Sequence, residues 1–366
     1  FSAIDFLFSL SLLFSKFAIV MSDSIILGIE SSCDDTSVSV IKGNIILSNI
    51  AANQEIHIEY GGVVPELASR AHQQNIIPVV EKAVNKANIH KKDISAIGFT
   101  RGPGLLGSLL VGTSFAKSLA MSLKVPLIEV NHLQAHILAH FIEDANPQPP
   151  KFPFLCLTVS GGHTMIVLVK DYFDMEIIGK TIDDAAGEAF DKIGKIFGLD
   201  YPAGPIIDKL SKNTVENSFK FNKPRMENYN YSFSGIKTSV LYFIQKEVRK
   251  NPNFIEENLN DLCASVQKSI VEILMDKLEK AAEELNIKEV AIAGGVSANS
   301  GLREAMQKNI EKLGWNIYIP KFEYTTDNAA MIAMVAKLKF DRGEFADLSI
   351  SATARYDIEE RFKKDI

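Results

Sequence analysis

Two stretches of this chain open in the same way, and that repetition constrains the fold more than any other feature. Ile25-Ile26-Leu27-Gly28-Ile29 is a continuous apolar run. The polar turn Glu30-Ser31-Ser32-Cys33-Asp34-Asp35-Thr36 follows, and then the alternating Ser37-Val38-Ser39-Val40-Ile41. Far downstream, Phe154-Leu155-Cys156-Leu157-Thr158-Val159 leads through Ser160-Gly161-Gly162-His163-Thr164 into Met165-Ile166-Val167-Leu168-Val169. A short apolar run bounded by turn residues reads as a buried strand, and alternation reads as its hairpin partner. A strand–turn–strand unit used twice predicts an internal duplication, two related α/β domains facing each other. Asn146-Pro147-Gln148-Pro149-Pro150-Lys151 reads as the linker between them.

After the first hairpin, Tyr60-Gly61-Gly62-Val63-Val64-Pro65-Glu66 turns into a helix expected over about 67–87. The strand Ile94-Ser95-Ala96-Ile97-Gly98-Phe99-Thr100 then meets Arg101-Gly102-Pro103-Gly104 and an apolar helix to about Leu123. A glycine-rich link from strand to helix leaves free N–H groups beyond the strand end, which suits an anion as well as close packing. In the second half, Thr181-Ile182-Asp183-Asp184 through Asp191 reads as a helix start with acids where the macrodipole favours them. Tyr201-Pro202-Ala203-Gly204-Pro205 reads as a rigid turn, and 261–285 as a long amphipathic helix. The strand Glu289-Val290-Ala291-Ile292-Ala293 runs into Gly294-Gly295-Val296-Ser297-Ala298-Asn299, a nucleotide-type crevice signal of open α/β folds. Tyr324 to Met331 opens a last helix of small apolar residues.

Chemistry concentrates at Asn131-His132-Leu133-Gln134-Ala135-His136, which follows the buried strand 125–130. The whole chain has 7 histidines. His132 and His136 stand four apart, on one face of a helix one turn apart, where both can reach a single ion. Asn131 reads as the N-cap, with Gln134 placed for a capping box. A surface pair of histidines would show the same spacing, and His140 adds a third imidazole one turn on. The zinc-protease motif requires Glu after the first histidine, and Leu133 stands there instead.

Composition bounds what remains. A chain of 366 residues with 46% hydrophobic and 23% charged residues suits two ordinary domains. The net charge of −6 provides no global field for a polyanion. Lys209, Lys212, Lys220, Lys223, Arg225 and Lys237, interleaved with Phe219, Phe221, Tyr229, Tyr231 and Phe233, form the one local patch that could contact RNA, against the simpler reading of a solvated loop. Three cysteines without a CxxC argue against a disulfide framework or zinc ribbon and fit a reducing, cytoplasmic compartment. Phe1 to Val20 is apolar but lacks a basic leader, so the expectation is a translated upstream extension with Met21 as the start. No other stretch reads as long and apolar enough to span a bilayer.

The acidic hairpin, Gly-Pro-Gly turn, HxxxH helix, SGGHT, DDAAGEAFDK, YPAGP, YSFSGIKT, AGGVSAN and TTDNAAMIA occur together and in order. From about Ile25 onward they resemble the bacterial TsaD family, whose eukaryotic and archaeal relatives were once called glycoproteases. The resemblance implies the actin-like, Hsp70-like ATPase superfamily, two related RNase H-like domains facing a central cleft. The first would span 21–145, with a C-terminal helix at 325–346 returning to it, and the second 150–324. It implies transfer of threonylcarbamoyl from threonylcarbamoyl-AMP to the exocyclic amine of the adenosine beside the anticodon in tRNAs reading ANN codons, with AMP released. By motif, His132, His136 and Asp327 correspond to ligands of one divalent metal, Fe(II) or else Zn. Thr158, Val159, Ser160, Gly161, Gly162, Asp191, Gly204, Asp208 and Asn299 correspond to nucleotide-contacting positions, and Asp34 and Asp35 to the catalytic acidic pair. The implied partners are tRNA, an inactive actin-like paralogue (TsaB-like) and a small P-loop ATPase (TsaE-like), with no membrane. Gln134, Ala135, Ala203 and Thr326 depart from residues frequent in the family without removing a ligand. A metalloprotease and a non-catalytic actin-like scaffold are the competing readings; Leu133 counts against the first and the complete His-His-Asp set against the second.

Overall fold

The computed structural model describes residues 24–54, 56–144, 148–212, 214, 219–224 and 226–359. The Phe1–Val20 stretch, Met21, Asn146 and Pro147 of the linker and Arg225 lie outside the described residues. The described chain divides into two compact units. Unit 1 comprises residues up to Gln54, from Pro65 into the linker, and Asp327–Asp357; unit 2 comprises 56–64, 148–326 and the residues after Asp357.

Unit 1 is built on five strands: β1 Ile25–Glu30, β2 Thr36–Lys42, β3 Ile45–Ala52, β4 Ala96–Gly102 and β5 Leu127–Asn131, in the order β3-β2-β1-β4-β5. β1, β2 and β3 form an antiparallel meander, and β4 and β5 extend it in parallel with β1. Parallel strands need long crossovers, supplied by α1 (Pro65–Lys86) and α2 (Leu106–Leu123). Both faces of β2 are covered. Val38 and Val40 pack with Ile76, Val79 and Val80 of α1, while the Ser37 hydroxyl on the other face accepts the N–H of Ala329 at 2.9 Å. The serine/valine alternation thus reflects two kinds of buried face rather than one wet and one dry.

The second face is filled by α9 (Ala329–Asp341). Its small residues cross the sheet at two paired glycines, Gly28 of β1 and Gly98 of β4. A Cβ on Gly28 would lie 2.6 Å from the Ala333 nitrogen, and one on Gly98 would collide with the Ala336 methyl. Glycine against alanine is what allows the helix to lie this close, and the contact fixes where its N-terminus, and so Asp327, stands.

α2 corrects one expectation. By length and composition it could cross a bilayer, with a mean hydropathy of 1.3. Ser108, Leu109, Gly112, Thr113, Ala116 and Ala120 are buried along one side of it. Ala116 and Ala120 belong to the core built on the sheet, so it reads as a sheet-packing helix.

Unit 2 repeats the topology. β6 Phe154–Val159, β7 Thr164–Asp171, β8 Asp174–Lys180, β9 Glu289–Ala293 and β10 Asn316–Tyr318 run in the order β10-β9-β6-β7-β8, the unit 1 sheet strand for strand. Its core is larger. α4 (Ala186–Ile196), α5 (Ala203–Ser211), α6 (Ser234–Val248), α7 (Phe254–Glu284) and α8 (Ser300–Leu313) surround Phe190, Tyr231, Phe233, Leu262, Ile270 and Leu274.

Several details differ from expectation. α4 starts only at Ala186, and Asp183 serves another helix: its carboxylate accepts the Phe233 N–H at 2.8 Å and the Ser232 and Ser234 hydroxyls at 2.5 and 2.7 Å, at the start of α6. The Tyr201–Pro205 stretch is a turn only to Pro202, because proline is tolerated in a helix's first turn and α5 takes Ala203, Gly204 and Pro205. The aromatic half of the supposed RNA patch is core. Phe221, Tyr231 and Phe233 are buried, and Phe219 packs on Phe243 and Phe254. Lys223 is bound to Glu272 at 2.6 Å and Lys212 to Asp208 at 3.4 Å. The alternation of basic and aromatic residues comes from a stretch that turns Phe221, Tyr231 and Phe233 inward, and these three rings offer no stacking platform.

Candidate metal centre and nucleotide-type turns

In unit 1 the carboxyl ends of β1, β4 and β5 lie side by side, and each runs into a turn that carries polar groups. β5 ends at Asn131, whose Oδ1 accepts the N–H groups of Leu133 and Gln134 at 2.9 and 3.2 Å and so caps α3 (His132–Leu138). Such a cap contributes about 1 kcal/mol. One turn along, the rings of His132 and His136 stand at 89° to one another.

Their Nε2 atoms are 3.2 Å apart, and Asp327 Oδ1 lies 3.3 Å from the first and 3.2 Å from the second. Three donors bonded to one ion at ~2.1 Å would be separated by about 3.0–3.4 Å for angles between square and tetrahedral, so the triangle fits a single small cation. Two ring nitrogens and a carboxylate facing one another are electron-rich, and a cation satisfies all three. The Nδ1 of His136 is buried and meets no hydrogen-bond partner among the described residues. His140 is buried in the following 3-10 turn and is not part of this group.

Behind His132 stands Glu30, the last residue of β1 and fully buried. Its Oε2 lies 2.9 Å from His132 Nδ1 and accepts the Thr100 hydroxyl at 2.7 Å, while Oε1 accepts the Ser32 N–H at 2.5 Å. A carboxylate on the outer nitrogen fixes the tautomer and raises the basicity of a ligating imidazole. Burial resists charge on all three groups. Even so, the carboxylates of Asp327 and Glu30 hold His132 well above the usual histidine range, and His132 in turn holds both below the usual carboxylate range.

Asp34 and Asp35 lie in the turn after β1. Burial, then the negative charges of Asp34, Asp327 and Glu30, raise the Asp35 carboxyl to about 7. The turn is braced by His72 of α1, a buried imidazole with Nδ1 2.7 Å from the Thr36 hydroxyl and Nε2 3.0 Å from the Cys33 carbonyl. Glu30 and His72 were not singled out from sequence. The available signals were a carboxylate ending an otherwise apolar strand and one more of few histidines, and neither tells which side chain it will meet.

In unit 2 the SGG turn after β6 and the GG turn after β9 emerge next to each other from paired parallel strands. Gly294, at φ +85°, lies so close that a Cβ there would sit 2.5 Å from the Val159 carbonyl oxygen. Gly187, in the first turn of α4, would meet the Ser160 oxygen at 2.7 Å. Gly161, Gly162 and Gly295 have no atom of the described residues within 4 Å of where a Cβ would stand, so no packing among those residues requires glycine there. Thr158 and Val159 are buried in β6. Asp191 accepts the Ala203 N–H at 2.8 Å; burial raises its carboxyl, against the lowering effect of the Ala203 and Gly204 N–H groups. Asp208 accepts the Ser300 N–H and hydroxyl at 2.9 and 2.6 Å. Asn299 caps α8 through Leu302 N–H at 3.0 Å and donates to Gln267 at 2.7 Å. The acidic pair and the three clustered donors therefore belong to unit 1, and the nucleotide-type residues to unit 2, where Asp191, Asp208 and Asn299 also hold helix ends in place.

Two five-stranded mixed sheets of identical strand order define a duplicated α/β fold. Full-length HypF, crystallised in a phosphate- and nucleotide-bound form, has this fold: TM-score 0.59 at 14% identity, over 89% of this chain and 48% of that one. At the level of sequence, residues 45–334 match the model of the TsaD family, tRNA N6-adenosine threonylcarbamoyltransferase. The chain is 81% identical to the tRNA N6-adenosine threonylcarbamoyltransferase of Riemerella anatipestifer over 92% of its own length and 99% of the relative's. It is 62% identical to that of Christiangramia forsetii over 90% and 97%. The chain belongs to the tRNA N6-adenosine threonylcarbamoyltransferase family.

Proposed function

We propose that this chain is the acyltransferase of tRNA threonylcarbamoyladenosine synthesis, moving threonylcarbamoyl from threonylcarbamoyl-AMP to the exocyclic amine of the adenosine 3′ to the anticodon in tRNAs reading ANN codons. Family membership supports the reaction, and the observation that carries the assignment of residues is the convergence of His132, His136 and Asp327 with Glu30 behind them. In the reaction the amine nitrogen bonds to the carbamoyl carbon, the bond from that carbon to the phosphate oxygen breaks, and AMP departs with the electron pair.

The donor set His132, His136 and Asp327 would hold a divalent ion, and two imidazoles with one carboxylate suit Fe(II) first and Zn(II) second. Such an ion supplies Lewis acidity to a sluggish carbamoyl carbonyl. Glu30 keeps the His132 ring in one orientation. Asp35, raised to about 7 by burial and its acidic neighbours, is matched to accept the proton the amine releases, with Asp34 beside it. In unit 2, the open space at Gly161, Gly162 and Gly295 is where backbone N–H groups can meet a phosphate or sugar. Asp191, Gly204, Asp208 and Asn299 frame that nucleotide site.

The test is transfer of labelled threonine from threonylcarbamoyl-AMP to an ANN-reading tRNA by the reconstituted assembly of this chain with its actin-like paralogue and P-loop ATPase partners. Replacing Asp35 with Asn is expected to lower the rate at least a hundredfold with metal content unchanged. The His132→Ala/His136→Ala double variant is expected to lose metal and activity together; if it keeps stoichiometric metal, the ligand assignment is wrong.

A further inference from the structure

The C-terminal segment 350–357 supplies no group to the metal centre, yet it grips the residues on either side of it. Thr353 N–H donates to the Arg101 carbonyl at 2.9 Å, and Arg101 Nε to the Ser351 carbonyl at 3.1 Å, so the segment runs along the end of β4. Gly104 N–H donates to the Ala354 carbonyl at 3.3 Å. Any Cβ on Gly102 would collide with the Thr353 carbonyl oxygen, so the approach requires glycine. The segment is anchored by Tyr356, which is 7% exposed. Its hydroxyl meets Glu129 at 3.1 Å and its ring lies 4.7 Å from the Arg101 guanidinium, itself bound to Glu129 at 2.8 Å.

Two routes lead from this segment to His132. The first is Asn131. The Oδ1 that caps the histidine helix is held in place because Nδ2 of the same amide donates to the Asp357 carbonyl at 3.0 Å and the Tyr356 carbonyl at 3.4 Å. All the hydrogen-bonding capacity of that amide is thus divided between the helix and the C-terminal segment. The second is the Gly-Pro-Gly turn. Leu105 N–H donates to the Ser32 carbonyl at 2.7 Å, and Ser32 in turn meets Glu30 and lies 3.2 Å from His132 Nδ1.

We propose that segment 350–357 is a strap that positions His132, fixing the histidine helix from its cap and the Glu30–Ser32 support through the Gly-Pro-Gly turn, and that metal affinity depends on it. The inference rests on the metal reading above. Positioning of ligands from outside the coordination sphere is worth roughly 10–100-fold in metal affinity.

The test uses Zn(II) alone, competed against a chromophoric chelator, with full-length protein and two variants that reach the strap independently. Asn131→Ser keeps an N-cap oxygen but removes the amide that holds the strap. Gly102→Ala places a methyl where the Thr353 carbonyl lies and leaves Asn131 intact. Both are expected to bind Zn(II) about tenfold more weakly, and trypsin is expected to cleave faster after Arg355, which is exposed. A His132→Ala control separates the two readings, since undiminished Zn(II) binding there overturns the metal assignment itself. If His132→Ala loses Zn(II) while both strap variants bind within twofold of the parent, the strap only stabilises the fold and the proposal is wrong.

Discussion

At the scale of single residues, the centre holds charges where folding alone would not. Asp35 is the clearest case, with a carboxyl raised from 3.8 to about 7. Between those values the folded chain binds more protons than the unfolded one, so this group's contribution to stability falls as pH rises through that window. Asp35→Asn should therefore melt higher than the parent, by a margin that grows from pH 5 to pH 8, when both are compared free of metal by calorimetry; a margin that shrinks with pH would contradict the sign. Glu30 makes the opposite case, a buried carboxylate with every bond satisfied. Glu30→Gln keeps the shape but not the charge facing His132, and should weaken metal affinity by roughly 10-fold or more, measured by chelator competition; unchanged affinity would reduce Glu30 to a packing residue. The spacing of His132 and His136 and the Asn131 cap were legible from sequence, because both follow from the 3.6-residue helical repeat. Glu30, His72 and the strap were not, because each acts through a partner at least 36 positions away, and nothing local encodes that pairing.

At the scale of elements, one contact decides where Asp327, the third member of the candidate metal site, stands. α9 crosses the sheet on Gly28 and Gly98, and Asp327 sits just ahead of the helix cap, Asn328, whose side chain accepts the Met331 N–H at 3.1 Å. Gly98→Val would force the helix outward; overpacking of this kind costs about 1–3 kcal/mol, read by urea denaturation, and should lower metal affinity although residue 98 touches no ligand. Retained stability and affinity would show that the sheet yields instead. The order of strands and crossover helices was legible wherever apolar runs were long. It failed at 181–185, where the signals for a helix start were present but Asp183 serves a neighbouring helix, at 201–205, where a stretch read as a turn begins a helix at Ala203 whose N–H is held by Asp191, and at 219–233, where rings taken as surface are core. In each case a tertiary partner overrode a local preference.

At the scale of the whole molecule, the net charge of −6 leaves little to hold a polyanion, since nonspecific nucleic-acid affinity comes from lysine and arginine neutralising phosphates. With Phe221, Tyr231 and Phe233 buried and Lys212 and Lys223 held in ion pairs, the isolated chain is expected to bind tRNA weakly and the assembled partners to bind it well. Equal affinity of the two, at the same salt, would place the whole docking surface on this chain. The proposed threonylcarbamoyl transfer depends on His132, His136 and Asp327 together. The most direct measurement is mass spectrometry of tRNA nucleosides from cells depleted of the protein and resupplied with parent or variant chains. Threonylcarbamoyladenosine is expected to disappear on depletion, return with the parent chain, and stay absent with His132→Ala/His136→Ala or Asp327→Ala at equal protein levels. Undiminished modified adenosine after depletion, or its full return with either variant, would contradict the proposal.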